Sequence, residues 1–144
     1  MVTVVIAEKP SMARAIREGL GSDAARYEIT NAFGHILEQA EPDAYLPSDV
    51  PLTPKGKKRW RLEDLPIIPQ RWEKFPKRDA KEQLEKIGQL LKNADTVINA
   101  GDPDREGQLL IDEILDYHGY KGRVQRVWLK ALDAENVRKA FAGI

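Results

Sequence analysis

The 144-residue sequence predicts an α/β fold, a mainly parallel central sheet flanked by helices. Three observations predict it. Residues 2–7 (VTVVIA) and 96–100 (TVINA) are apolar or β-branched at nearly every position, as strands covered on both faces are. Each run is followed by a segment whose apolar residues recur at helical spacing. Strand-like and helix-like segments then alternate along most of the chain, as parallel βαβ units require.

Taken in order, residues 2–7 form the first strand, with Glu8 at its carboxyl end. Pro10 cannot continue a ladder and biases Lys9 away from the helical region. Ser11 is a suitable N-cap for a helix over 12–20, whose apolar side is Met12, Ala13, Ala15, Ile16 and Leu20, with Gly19 and Gly21 ending it. Residues 27–32 read as a second strand, and 34–38 as a turn into another short extended piece. From 41 to 76 no period survives. Pro42, Pro47, Pro51, Pro54, Pro66, Pro69 and Pro76 punctuate an irregular insertion, and Trp60, Leu62, Leu65, Ile67, Ile68, Trp72 and Phe75 predict that it packs. Residues 79–93 are an amphipathic helix with Leu84, Ile87, Leu90 and Leu91 inward. A strand over 96–100 leads to a helix over 105–118, with Leu110, Ile111, Ile114 and Leu115 facing the core. Gly119 and Gly122 bracket a turn. A strand over 124–129 and a helix over 134–141, capped by Asp133, close the chain. The expectation is a single domain, 1–144, with its insertion at about 41–76.

Composition narrows the function. Without cysteine there are no disulfides and no thiolate metal sites, which suits a reducing compartment. The N-terminus reaches Glu8 without a basic region, unlike a signal peptide, and no apolar run has membrane-spanning length. The 23 basic and 23 acidic residues cancel, so only local clusters speak for or against nucleic acid.

The most informative cluster follows the strand 96–100: Gly101-Asp102-Pro103-Asp104-Arg105-Glu106-Gly107. If the strand ends at Ala100, Asp102 and Asp104 lie on the loop and Glu106 at the helix start. Alternate residues of an extended segment point the same way, so Asp102 and Asp104 can share a hard cation such as Mg²⁺. The competing reading is structural: Asp104 caps the helix and Glu106 favours its dipole. If strands 2–7 and 96–100 are neighbours, Glu8 faces these acids across about 4.8 Å, and crowded carboxylates suit one of them to general acid/base work. Lys9 beside it can steady a phosphate or a leaving oxygen. In Lys55-Gly56-Lys57-Lys58-Arg59-Trp60-Arg61, the cations and an indole suit a single-stranded backbone with a base on Trp60. The alternative there is a solvated charged loop with Trp60 in the core.

Ala7-Glu8-Lys9-Pro10-Ser11, Gly34-His35-Ile36-Leu37 and Gly101 to Leu110 together resemble the TOPRIM domain of type IA DNA topoisomerases, a Rossmann-like fold, in its bacterial topoisomerase III branch. The likeness extends to Pro42-Asp43-Ala44-Tyr45, to residues 60–66 and through Leu132, essentially the whole chain. It implies Glu8 as general acid/base at the scissile phosphate and Lys9 as stabiliser of transition-state charge. It implies Glu8, Asp102, Asp104 and Glu106 around Mg²⁺, with His35 and Arg105 near the DNA. It further implies single-stranded DNA as substrate and a bacterial cytoplasmic, nucleoid-associated setting. The family's nucleophilic tyrosine lies in a later domain; Tyr27, Tyr45, Tyr117 and Tyr120 sit in no context like it. The expectation is therefore a metal-and-acid half that needs tyrosine-bearing domains in cis or in trans. The alternatives are a stand-alone metal-dependent TOPRIM nuclease and a truncated module without catalysis.

Overall fold

In the computed structural model, residues 1–39, 42–69 and 73–144 are described. They fall into two compact units, one of residues 1–37 with 76–144 and one of residues 38–75. Trp72, expected to pack, lies outside the described residues.

The first unit holds a four-stranded parallel sheet. Its strands are β1 (Thr3–Ala7), β2 (Glu28–Asn31), β5 (Thr96–Ala100) and β6 (Arg123–Arg126), in the order β2-β1-β5-β6. The two apolar runs are its central pair, joined from Thr3 opposite Thr96 to Ala7 opposite Ala100. Period-two alternation splits each run between two cores. Val4, Ile6 and Val97 pack with α2 (Lys81–Lys92) and α3 (Arg105–Tyr117). Val5, Ala7, Ile98 and Ala100 pack with α1 (Pro10–Leu20) and α4 (Ala134–Ala142). Burial on both faces is why the buried positions of the two runs are apolar; Asn99 is the exception.

The helices begin and end for local reasons, not always the expected ones. The first helix starts at Pro10, not at Met12 behind a Ser11 cap, with extended Lys9 at the N-cap. Proline suits the first helical position because its φ is preset and the N–H it lacks would have no partner there. Gly21, at φ 56°, ends this helix, whereas Gly19 lies inside it. A β-carbon at Gly19 would stand 2.7 Å from Val137 Cβ, so this glycine lets α1 and α4 approach. Asp133 caps α4 as expected, accepting from the Asn136 N–H at 3.2 Å. Ladder pairing of β6 stops at Arg126, earlier than expected, although Val127 and Leu129 still turn inward.

The second unit contains 3-10 turns at Pro42–Tyr45 and Leu62–Asp64, and β3 (Leu37–Gln39) pairs with β4 (Lys74–Pro76). Its apolar residues do not form the expected core: Trp60, Leu62, Leu65, Ile68 and Phe75 are exposed, and Leu46 and Val50 are buried instead. Polar anchors hold it. The Asp43 carboxylate accepts from the Trp60 indole N–H at 2.6 Å and from the Lys58 backbone N–H at 3.0 Å. Arg61 pairs with Asp64 at 2.7 Å and with Glu63 at 3.1 Å. Trp60 is thus at the surface rather than in a core. Among the described residues no helix is long and apolar enough to cross a membrane.

Candidate metal centre

In an open α/β sheet, ligands bind beyond the carboxyl ends of the strands, where neighbouring connections leave to opposite faces. Here that point lies between β1 and β5, because β1 runs into α1 on one face and β5 into α3 on the other. Glu8 and Asp102 sit one and two residues past the paired Ala7 and Ala100. Glu8 Oε2 accepts from the Asp102 backbone N–H at 3.3 Å. The Glu8 carboxyl is pushed above its ordinary value, first by burial, then by the Asp102 side chain and the charge of Asp104.

Two glycines shape the turn that carries Asp102. A β-carbon on Gly107 would lie 2.4 Å from the Asp102 carbonyl oxygen and 2.6 Å from its nitrogen. One on Gly101 would lie 2.4 Å from the Gly107 carbonyl oxygen. The turn therefore folds flat onto the first turn of α3, an approach open only to residues without a side chain. Asp104 caps that helix, its Oδ1 accepting from the Gly107 N–H at 2.6 Å. The structural reading of Asp104 is met here.

The turn is also held from the sheet side by residues that the motif does not contain. Buried Asn99 accepts from the Gly101 N–H through Oδ1 at 3.0 Å. Arg126, at the end of β6, donates through Nη1 to the Asn99 carbonyl at 3.1 Å, to Asn99 Oδ1 at 2.9 Å and to the Gly101 carbonyl at 2.8 Å, and through Nη2 to the Asp102 carbonyl. Its Nε is buried without a partner among the described residues. Burial lowers the guanidinium's proton affinity, opposed by Asp112, Asp104, Asp102 and Glu8, yet an arginine so placed stays charged. Sequence reasoning missed Arg126 because it stands 24 residues after Asp102 in an ordinary strand pattern. Only a pairing of β5 with β6 could have flagged it.

His35 reaches the same end of the sheet. The Gly34 N–H donates to the Glu8 carbonyl at 3.0 Å, and Gly34 takes φ 70°. His35 Nε2 then lies 3.1 Å from Glu106 Oε1, and Nδ1 lies 3.7 Å from Glu113 Oε2. Lys9 and Arg105 are exposed. The basic run belongs to the second unit and is divided in its work. The Lys58 ammonium donates to the carbonyls of Leu46 and Pro47 at 2.9 and 3.1 Å, whereas Arg59 is exposed and Lys57 is exposed beside the Thr53 turn.

The four acids are thus brought to one end of the sheet but not to one point. Glu8 and Asp102 form a close pair, Asp104 caps the helix and Glu106 faces His35. Among the described residues no three His, Asp or Glu side chains converge closely enough to hold a metal ion by themselves. The donor set still fits Mg²⁺, which is commonly held by one or two carboxylates, with water and phosphate oxygens completing its shell. Burial first, and then the neighbouring carboxylates, raise the proton affinity of Glu8, and a bound cation would oppose both. A separate open cleft of about 490 Å³, lined by Gly88, His118 and Tyr120 among others, contains none of these residues.

The Toprim domain model matches residues 3–132. The chain belongs to the Toprim family. It is 40% identical to DNA topoisomerase 3 of Vibrio cholerae over 100% of this chain, and 44% identical to that of Pasteurella multocida over 94%. It is 32% identical to DNA topoisomerase 3 of Staphylococcus haemolyticus over 98%. The chain spans only 20–23% of the length of these relatives. The Toprim match and the parallel sheet agree with the fold class predicted from sequence.

Proposed function

We propose that this Toprim domain serves a type IA, topoisomerase III-like enzyme that cuts and rejoins single-stranded DNA with Mg²⁺, the nucleophilic tyrosine coming from further domains. The observation that carries the reading is the Glu8–Asp102 pair at the switch point between β1 and β5. In this reading the tyrosine oxygen attacks the phosphorus and forms the 5′-phosphotyrosine bond as the bond to the 3′-oxygen breaks. Glu8 gives a proton to that oxygen and takes it back when the strand is rejoined. Lys9, exposed beside it, meets the charge that develops on the phosphate. Asp102 and, in its ionised form, Glu8 would hold Mg²⁺, with Asp104 and Glu106 nearby; the ion, when bound, offsets phosphate charge. His35 orients Glu106, and exposed Arg105 supplies a DNA contact; in the second unit exposed Lys57, Arg59 and Trp60 supply others, while Lys58 is held by the loop's own carbonyls. A bacterial cytoplasmic, nucleoid-associated setting follows from this reading.

The test uses end-labelled single-stranded DNA and Mg²⁺ with the chain joined to its tyrosine-bearing domains, quenched in detergent. Cut ends bound covalently to protein, lost in Asp102→Asn, are expected. Cut ends without an adduct would replace this reading with a metal-dependent nuclease, and no cutting by the joined protein would overturn both.

A further inference from the structure

We propose that Trp128 is a stacking platform for one nucleotide base beside the acid turn, an inference that rests on the DNA reading above. Its position follows from alternation past the end of β6. Val127 and Leu129 are buried, at 1% and 4% exposure, and the Val127 N–H donates to the Asn99 carbonyl at 3.1 Å. The backbone is therefore fixed on both sides of Trp128, whose own side chain points out and is 55% exposed. An indole left this open at an anchored position gains little from the protein's own core.

Its inner contact ties it to the metal centre. The Arg126 guanidinium lies 4.6 Å from the indole centroid, and the same guanidinium donates to the carbonyls of Gly101 and Asp102. One side chain thus links the ring to the turn that presents Asp102. A cation on an aromatic ring is a favourable contact that holds the ring's orientation, so the open side of the indole is presented at a fixed place near the acids. Trp128 stands between cations in the chain, Arg126 and exposed Lys130. That setting suits a base on a charged backbone better than an apolar protein partner, which calls for a contiguous apolar patch. Every base has a π face, so the contact orders a strand without reading its sequence.

The test is binding of the chain to a fluorescent oligothymidylate and to a fully abasic strand of equal length, in Mg²⁺, by anisotropy. Trp128→Ala should weaken oligothymidylate binding roughly 5- to 150-fold, the range expected for one lost base stack. Trp128→Phe should recover most of it. On the abasic strand wild type and Trp128→Ala should bind alike. Equal oligothymidylate binding by wild type and Trp128→Ala overturns the stacking and leaves the DNA reading standing. A gap that persists on the abasic strand also overturns it, as does a Trp128→Ala defect seen only in association with the tyrosine-bearing domains, which would make the indole a protein contact. No binding of either strand by the wild type counts against the DNA reading itself.

Discussion

The turn after β5 and the described residues of the excursion 38–75 hold little regular structure, yet they are held by different means. The turn is shaped by backbone approach: Gly101 and Gly107 leave no room for a β-carbon, and Asn99 and Arg126 fasten its peptide groups. The excursion is held by half-buried polar side chains, chiefly Asp43 and Arg61, while most of its described large apolar residues face solvent. A loop fixed through its backbone can hold a side chain such as Asp102 in place before any ligand arrives, as site preorganisation requires. A loop fixed through a few polar side-chain contacts tolerates change elsewhere along it.

The contrast can be broken at its strongest point first. Gly107→Ala adds a residue that ordinarily favours a helix by about 1 kcal/mol. Here the new carbon meets backbone on Asp102, so thermal unfolding should show a loss of about 2–3 kcal/mol instead. A neutral or stabilising result would mean the turn is not shaped by that approach.

Arg126→Lys keeps the charge but not the fork, and the three N–H groups of one compact ammonium cannot match four acceptors spread over three residues. A loss of about 1–2 kcal/mol is expected in denaturant unfolding, with a weaker response to Mg²⁺. Unchanged stability and metal response would remove Arg126 from the account.

Glu8→Gln takes one charge out of a crowded acid group, so without divalent cation it should melt slightly higher than wild type at neutral pH. A lower melting point would mean the Glu8 carboxylate is stabilising where it stands.

The smallest global effect is expected in the excursion. Asp43→Ala removes the acceptor of Trp60 and Lys58. Limited proteolysis should speed up within residues 38–75 while the melting point of the remainder holds. An equal loss in both units would join what the comparison separates.

Much of this was legible in the sequence for a physical reason. Strands buried on both faces must be apolar throughout, so VTVVIA and TVINA announced a parallel sheet, while their pairing at its centre entered the reading only as a condition and came from the structure. The acid motif announced the carboxyl end of β5, because glycine and aspartate there have no use in a strand. Three features were not legible. Arg126 acts through strand pairing, which leaves no local pattern. The helix start was read at a Ser11 cap, and the proline's preset φ set it at Pro10 instead. Trp60 and its apolar neighbours suggested a core, but Asp43 satisfies the indole N–H at the surface.

The central claim, that Glu8 and Asp102 share a cation at the switch point, is tested most directly by thermal unfolding of the chain with and without Mg²⁺. Wild type should gain about 2.7 kcal/mol at 100 times the dissociation constant, and Asp102→Asn should lose most of that gain. A wild-type melting point indifferent to Mg²⁺, or a gain equally large in Asp102→Asn, would contradict the claim.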